Sequence, residues 1–296
     1  MIKRTLYFGN PAYLKTQNEQ LHISRGKDMD DVTVPIEDVG VLILDHNQIT
    51  ITQPLMAKLL ANNVALITCD HTHHPVGLML NLDGHTLQSQ KFKEQIAATQ
   101  PLKKQLWQQT IEAKIRNQAA VLAALGKAPK PLHTLGQTVK SGDSANNEAK
   151  AATYYWRNLF EPELDFRRER YGPAPNNLLN YGYAILRAVV ARSLVASGLL
   201  PTLGIFHRNQ YNAYCLADDI MEPYRPYVDL LIVRSREGAF PAELDTHHKR
   251  LLLGIPAMDV TIDGRQSPLM NAVQRTTASL SKCYEGEQRK ILYPQM

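Results

Sequence analysis

Asn81-Leu82-Asp83-Gly84 is the turn at which the spacing of apolar residues changes, and that change divides the chain. Before it lie short β-prone runs at 4–8, 12–16, 20–24, 32–34, 39–44 and 64–68, separated by Gly9-Asn10-Pro11, Asn18-Glu19, Gly26-Lys27-Asp28 and Pro35. They predict a small β-sandwich or meander. One helix over 53–61 interrupts it, with Leu55, Met56, Leu59 and Leu60 at helical intervals and Asn62-Asn63 closing the turn. After the turn, Leu102, Leu106, Ile111, Ile115, Ala119 and Leu122 lie close to one helical stripe, with Pro101 in the first turn and Gly126 and Pro129 at the end. Further helices are expected over 144–160, 177–197, 211–222, 244–253 and 270–283. The expected fold is α+β and multidomain: a sandwich-like β domain over 1–84, followed by a large, nearly all-helical domain over 85–296.

At 296 residues and 33.3 kDa the chain suits one large domain or two unequal ones. With 44% hydrophobic and 21% charged residues it lies outside the disordered and collagen-like classes. A net charge of +5 favours an anionic partner such as DNA without singling it out. After Lys3-Arg4 the start alternates polar and apolar residues and lacks the apolar run of a signal peptide. The most apolar stretch, 184–200, is interrupted by Arg187, Arg192, Ser193 and Ser197, so no membrane-spanning helix is expected. Cys69, Cys215 and Cys283 form no close pair, which fits reduced, buried thiols and a cytoplasmic location.

The densest polar cluster is Asp218-Asp219-Ile220-Met221-Glu222-Pro223-Tyr224-Arg225. On a helix Asp219 and Glu222 share a face, within reach of a common cation, and Arg225 stands three residues on, where it can meet a phosphate. Spacing alone equally suits a solvated helix end stopped by Pro223. Upstream, Gly204-Ile205-Phe206-His207 places a histidine after an apolar, glycine-punctuated loop, either as a core histidine or as a ligand. Glu148 lies near the start of a helix that Ser144 can cap, beside Ala149, Ala152 and Tyr155. There it either favours the helix dipole or, if buried, needs a partner. Cys69-Asp70-His71-Thr72-His73-His74 gathers three histidines beside a thiol, but it lacks the paired spacing of zinc motifs. It reads first as a polar loop that leaves through Pro75. His247-His248 reads as a helix surface or a DNA-side feature.

Taken in order, Asn176-Asn177-Leu178-Leu179-Asn180-Tyr181-Gly182-Tyr183, Gly198-Leu199-Leu200-Pro201, Gly204-Ile205-Phe206-His207 and Asp219-Ile220-Met221-Glu222-Pro223-Tyr224-Arg225-Pro226 resemble the signature of the CRISPR-associated integrase family. Glu148-Ala149 with Tyr154-Tyr155-Trp156 resembles that family's other acidic helix, and the likeness spans nearly the whole chain. It implies an enzyme that inserts captured DNA fragments into a CRISPR array by transesterification at repeat boundaries. The implied metal ligands are Glu148, His207 and Glu222, with Asp219 supporting them among the catalytic residues. The family often has Phe where this chain has Tyr224, and the form of the acidic motif looks most like members from type II systems.

Glutamate and histidine ligands suit Mg²⁺ or Mn²⁺. Double-stranded DNA, both fragment and repeat, is the implied substrate, with phosphate contacts from Arg167, Arg168, Arg170, Arg208, Arg225, Lys249 and Arg250. The resemblance also implies a homodimer, with partner contacts through the β domain, and a small ferredoxin-like partner subunit whose dimer bridges two such homodimers. Two other functions fit the same residues. One is a stand-alone nuclease that cuts branched DNA with water. The other is a non-catalytic DNA-binding scaffold whose acids are helix caps.

Overall fold

The computed structural model describes residues 3–26, 29–236 and 238–296. Met1-Ile2 of the chain start and Lys27-Asp28 of the third turn signal lie outside the described residues.

The β-prone runs form strands, with two more that the spacing did not indicate. The strands are β1 (Arg4–Phe8), β2 (Ala12–Gln17), β3 (Gln20–Ser24), β4 (Val32–Pro35), β5 (Val39–Leu44), β6 (Ile49–Ile51), β7 (Ala65–Cys69) and β8 (Pro75–Met79). The loop over 70–74 leaves through Pro75, as expected, and Pro75 starts β8, where its missing N–H is tolerated at the first residue of an edge strand. One sheet runs β1-β5-β7-β8, parallel except for β8; the other runs β4-β3-β2-β6. Helix α1 (Gln53–Ala61) lies where Leu55 and Leu59 predicted it, and both are fully buried.

The period of two along β5 and β7 explains how the two halves join. Leu42 and Leu66 face the second sheet and α1, packing with Leu14, Leu21, Leu55 and Leu59. Val41, Ile43, Ala65 and Ile67 face the other way and join the helical core. The first sheet is therefore buried on both faces, which is why β5 reads Val-Gly-Val-Leu-Ile-Leu without alternation.

The helical half comprises α2 (Gln88–Ala97), α3 (Gln100–Ala124), α4 (Lys130–Gln137), α5 (Asn147–Leu159), α6 (Asn176–Ala196), α7 (Cys215–Met221), α8 (Arg225–Arg234), α9 (Thr246–Leu253) and α10 (Leu269–Tyr284). It is not wholly helical. A hairpin, β9 (Asp259–Ile262) and β10 (Arg265–Pro268), turns at Asp263-Gly264, where both residues have positive φ. Two long helices organise the rest: α3 packs on α4, α5 and α8, and α6 on α7, α8, α9 and α10. The C-terminal segment crosses α3, where Arg116 and Asn117 both donate to the Pro294 carbonyl, at 3.1 and 3.2 Å. Among the described residues no helix is long and apolar enough to cross a membrane.

Candidate active site

Three separate segments deliver the acidic and imidazole side chains to one place, and each is held by a local device. The first is the start of α5. Ser144 does not cap it; Asp143 does, its two carboxylate oxygens accepting from Asn147 N at 2.8 Å and Glu148 N at 2.9 Å. The buried face of α5 is Asn147, Ala151, Tyr155 and Leu159, rather than Ala149 and Ala152, and Glu148 borders it with its side chain 24% exposed.

The second segment is the loop that ends at His207. Asp219, fully buried, accepts from Ile205 N at 2.6 Å, Phe206 N at 3.0 Å and His207 N at 3.3 Å, and pairs with His207 Nδ1 at 2.5 Å. Gly204 permits this wrapping, because a Cβ there would stand 2.8 Å from Asp219 Oδ2 and collide with the His207 carbonyl. On the outer side Phe206 stacks on Trp107 of α3, ring centroids 4.4 Å apart, and Trp107 meets the His207 ring edge-on at 5.7 Å.

The third segment is the helix end. The solvated end stopped by proline is not what forms: Asp218, Asp219 and Glu222 are all buried. Pro223 does not end the run either, because a single 3-10 turn over Glu222–Tyr224 leads straight into α8. The Asp219 carbonyl, which Pro223 cannot reach, accepts from Glu222 N, and the Pro223 carbonyl accepts from Asn117 Nδ2 at 2.7 Å. Tyr224 directs its hydroxyl to Thr276 Oγ1 at 2.7 Å.

Asp219 and Glu222 do not grip a common cation. Asp219 is committed to the His207 loop. Glu222 pairs through Oε1 with Arg225 Nε at 2.8 Å and through Oε2 with Lys114 Nζ at 2.7 Å. The same Lys114 ammonium lies 2.7 Å from Glu148 Oε1. Glu148, His207 and Glu222 thus converge, near enough for both carboxylates to act on the imidazole. Among the described residues, however, no group of three His, Cys, Asp or Glu side chains is disposed to enclose a metal by itself; the cation shared by the two glutamates is Lys114.

The electrostatics arise from these pairs. Burial alone would raise the Glu222 carboxyl, but Arg225 and Lys114 outweigh it and hold it down at about 2. Burial disfavours the Lys114 ammonium, and the Glu222 and Glu148 carboxylates more than offset that, leaving its pKa raised. The hydrogen bond to Asp219 raises His207 against the opposing effect of burial. Burial pushes the Asp219 carboxyl up, opposed by the hydrogen bonds it accepts.

Behind the site Asp229, buried, accepts from Tyr155 Oη at 2.9 Å and Tyr183 Oη at 2.5 Å, and Arg225 lies over the Tyr183 ring at 4.5 Å. Arg225, expected at a phosphate, is therefore turned inward onto Glu222 and Tyr183. Lys249, also expected at DNA, is buried and pairs with Asp45 Oδ2 at 3.0 Å, because Asp45 is itself buried at the junction of the two halves and needs a cation. Arg168 is half-buried and donates to Asn176 Oδ1 and Asn180 Oδ1 at 2.9 and 2.7 Å. Arg167, Arg170, Arg208 and Arg250 are exposed.

The histidine-rich loop disperses: His73 Nδ1 pairs with Asp45 at 2.8 Å, while Asp70 accepts from the Thr72 and His74 amides at 2.9 and 3.1 Å. His248 closes back on its own helix cap, Asp245.

Sequence reasoning passed over Trp107, Lys114 and Asn117 on α3. The signal was present: Trp107, Ile111, Lys114 and Gln118 share one helix face, and a lysine on such a face needs an acid.

The family described as CRISPR associated protein Cas1 matches residues 6–240 of this chain. A CRISPR-associated endonuclease Cas1 of Neisseria meningitidis serogroup C is 38% identical over 282 residues, covering 94% of this chain and 91% of that protein. Among solved structures, a casposase bound to integration product superposes with a TM-score of 0.80 at 20% identity, over 98% of this chain and 92% of that one. A CAS1 protein from Thermotoga maritima superposes with a TM-score of 0.77 at 15% identity, over 96% and 98%. The chain belongs to the CRISPR-associated Cas1 family.

Proposed function

We propose that this chain is a divalent-metal-dependent DNA integrase and endonuclease of CRISPR adaptation, joining the 3′-hydroxyl of a captured fragment to a phosphodiester at a repeat boundary. The observation that carries this reading is the convergence of Glu148, His207 and Glu222 from α5, the Gly204 loop and the end of α7. The identity over nearly the whole length of a meningococcal protein named an endonuclease supports it.

The donor types, carboxylate oxygens and an imidazole, are those a hard cation takes, although among the described residues they are not disposed around one. Two carboxylate oxygens already hold a cation, the Lys114 ammonium, and both carboxylates act on the His207 imidazole. A bound Mg²⁺ or Mn²⁺ would supply Lewis-acid polarisation of a phosphodiester oxygen and a lowered pKa for a hydroxyl. Glu148 and Glu222 would hold it. Asp219 orients the His207 ring through Nδ1, so that Nε2 is the atom free to bind the cation or to take up a proton. Exposed Arg167, Arg170, Arg208 and Arg250 supply candidate phosphate contacts. Assembly as a homodimer with a small ferredoxin-like subunit, two homodimers bridged by one dimer of it, belongs to the same reading. So do origin in a type II system and action in the cytoplasm.

The test is strand transfer. With Mg²⁺ or Mn²⁺, the purified chain should join a fragment bearing a 3′-hydroxyl to repeat-containing duplex. Glu148→Gln, His207→Ala and Glu222→Gln should each lower joining roughly 100-fold or more while folding persists. Cutting without joining would favour the hydrolytic nuclease, and DNA binding without any metal-dependent reaction would favour the scaffold.

A further inference from the structure

Two carboxylates facing each other in a half-buried site repel unless a cation stands between them, and here that cation is part of the protein. Lys114 Nζ is 2.7 Å from both Glu148 Oε1 and Glu222 Oε2, with its side chain 12% exposed. It comes from the face of α3 that carries the buried Trp107 and Ile111. Glu222 does not need Lys114 for its own neutrality, since Arg225 already pairs with its other oxygen. The ammonium sits on the oxygen that faces Glu148.

Charge balance limits the ions this site can hold at once. Glu148 and Glu222 carry two negative charges, balanced by Lys114 and Arg225. A divalent cation added to this set would leave a partly desolvated site strongly positive unless one cation departs. Arg225 is anchored over Tyr183; Lys114 is a flexible stem ending in a point charge. A magnesium or manganese ion also needs carboxylate oxygens at about 2.0–2.2 Å, in the space the ammonium fills.

We propose that Lys114 is a built-in competitor for the divalent cation: its ammonium holds Glu148 and Glu222 together in the absence of metal and must swing away for metal to bind. The inference rests on the cation site proposed above. Lys114 is thereby a positioning residue that weakens metal binding and stabilises the metal-free protein.

The experiment measures Mn²⁺ binding to the full chain without DNA, by calorimetry or the Mn²⁺ electron paramagnetic resonance signal. Lys114→Met should bind Mn²⁺ about tenfold or more tightly than wild type, because a repelling charge is gone; Lys114→Arg, which keeps the charge, should not. In chelator Lys114→Met should melt below wild type, with the gap narrowing as Mn²⁺ is added. A second measurement needs no variant. Acylation of the Lys114 amine, read by mass spectrometry against the exposed Lys282, should be slow in chelator and accelerate with Mn²⁺. If Lys114→Met does not fold, the acylation result decides. Lys114→Met binding no more tightly than wild type, or Lys114 acylation unchanged by Mn²⁺, overturns the proposal. If wild type binds Mn²⁺ and Glu148→Gln with Glu222→Gln does not, only the Lys114 inference has failed; if wild type binds none, the metal reading falls and takes the inference with it.

Discussion

Removing the Asp219 carboxylate is the sharpest perturbation the geometry offers, because one fully buried side chain organises the whole His207 loop. It accepts from three successive backbone amides and from the imidazole. Asp219→Ala leaves those amides without their acceptor in the protein interior. Each buried donor left unsatisfied costs roughly 1–3 kcal/mol, and water entering the vacated space recovers part of it, giving about 3–6 kcal/mol in all. At about 2 °C per kcal/mol for a chain of this size, Tm should fall by about 6–12 °C. Asp219→Asn keeps one accepting oxygen and should lose about half as much. Thermal unfolding monitored by circular dichroism at a single pH reads both, and the same samples should lose DNA joining because His207 is no longer aimed. An Asp219→Ala protein melting within about 2 °C of wild type would show that the loop holds its shape without the carboxylate, and the account of His207 positioning would be abandoned.

Particular contacts give three further expected outcomes. Gly204→Ala places a methyl against Asp219 Oδ2 and the His207 carbonyl, so it should destabilise by roughly 1–3 kcal/mol and lower joining, as thermal melts and a joining assay will read. Asn117→Ala removes the donor that ties α3 to both the Pro223 and Pro294 carbonyls and should cost about 2–4 kcal/mol in denaturant unfolding, with the C-terminal segment becoming sensitive to protease. Burial raises the Asp229 carboxyl from 3.8 to about 7, although Tyr183, Tyr155, Arg225 and Arg168 oppose the shift. A carboxyl raised by folding favours the fold while protonated, so its contribution is complete below about pH 4 and is lost as pH climbs through about 7. Melting wild type beside Asp229→Asn from pH 4 to pH 8 should show wild type losing ground as pH rises; a constant difference would refute the shift.

The division into a strand-rich start and a helical remainder was legible because period two and period 3.6 are local properties, visible wherever one face is buried. The β9–β10 hairpin escaped because β10, Arg265–Pro268, carries no β-branched or aromatic residue to mark it as a strand.

The sequence by itself determined the longer elements, though not α2, α4 or α8, and nominated Glu148, His207, Asp219 and Glu222, since acids and a histidine set in apolar surroundings require partners whatever the fold. Which partners they take was decided only by tertiary structure. Asp219 and Glu222 lie one turn apart on the chain, yet one turns to a loop and the other to α3 and α8. Lys114 stands 34 residues from Glu148 and bridges it to Glu222. Arg225 and Lys249 bear the same charge as exposed arginines, but packing sets them against Glu222 and Asp45. Charge is written in the residue, whereas desolvation and distance, which set what a charge does, exist only once the chain has packed.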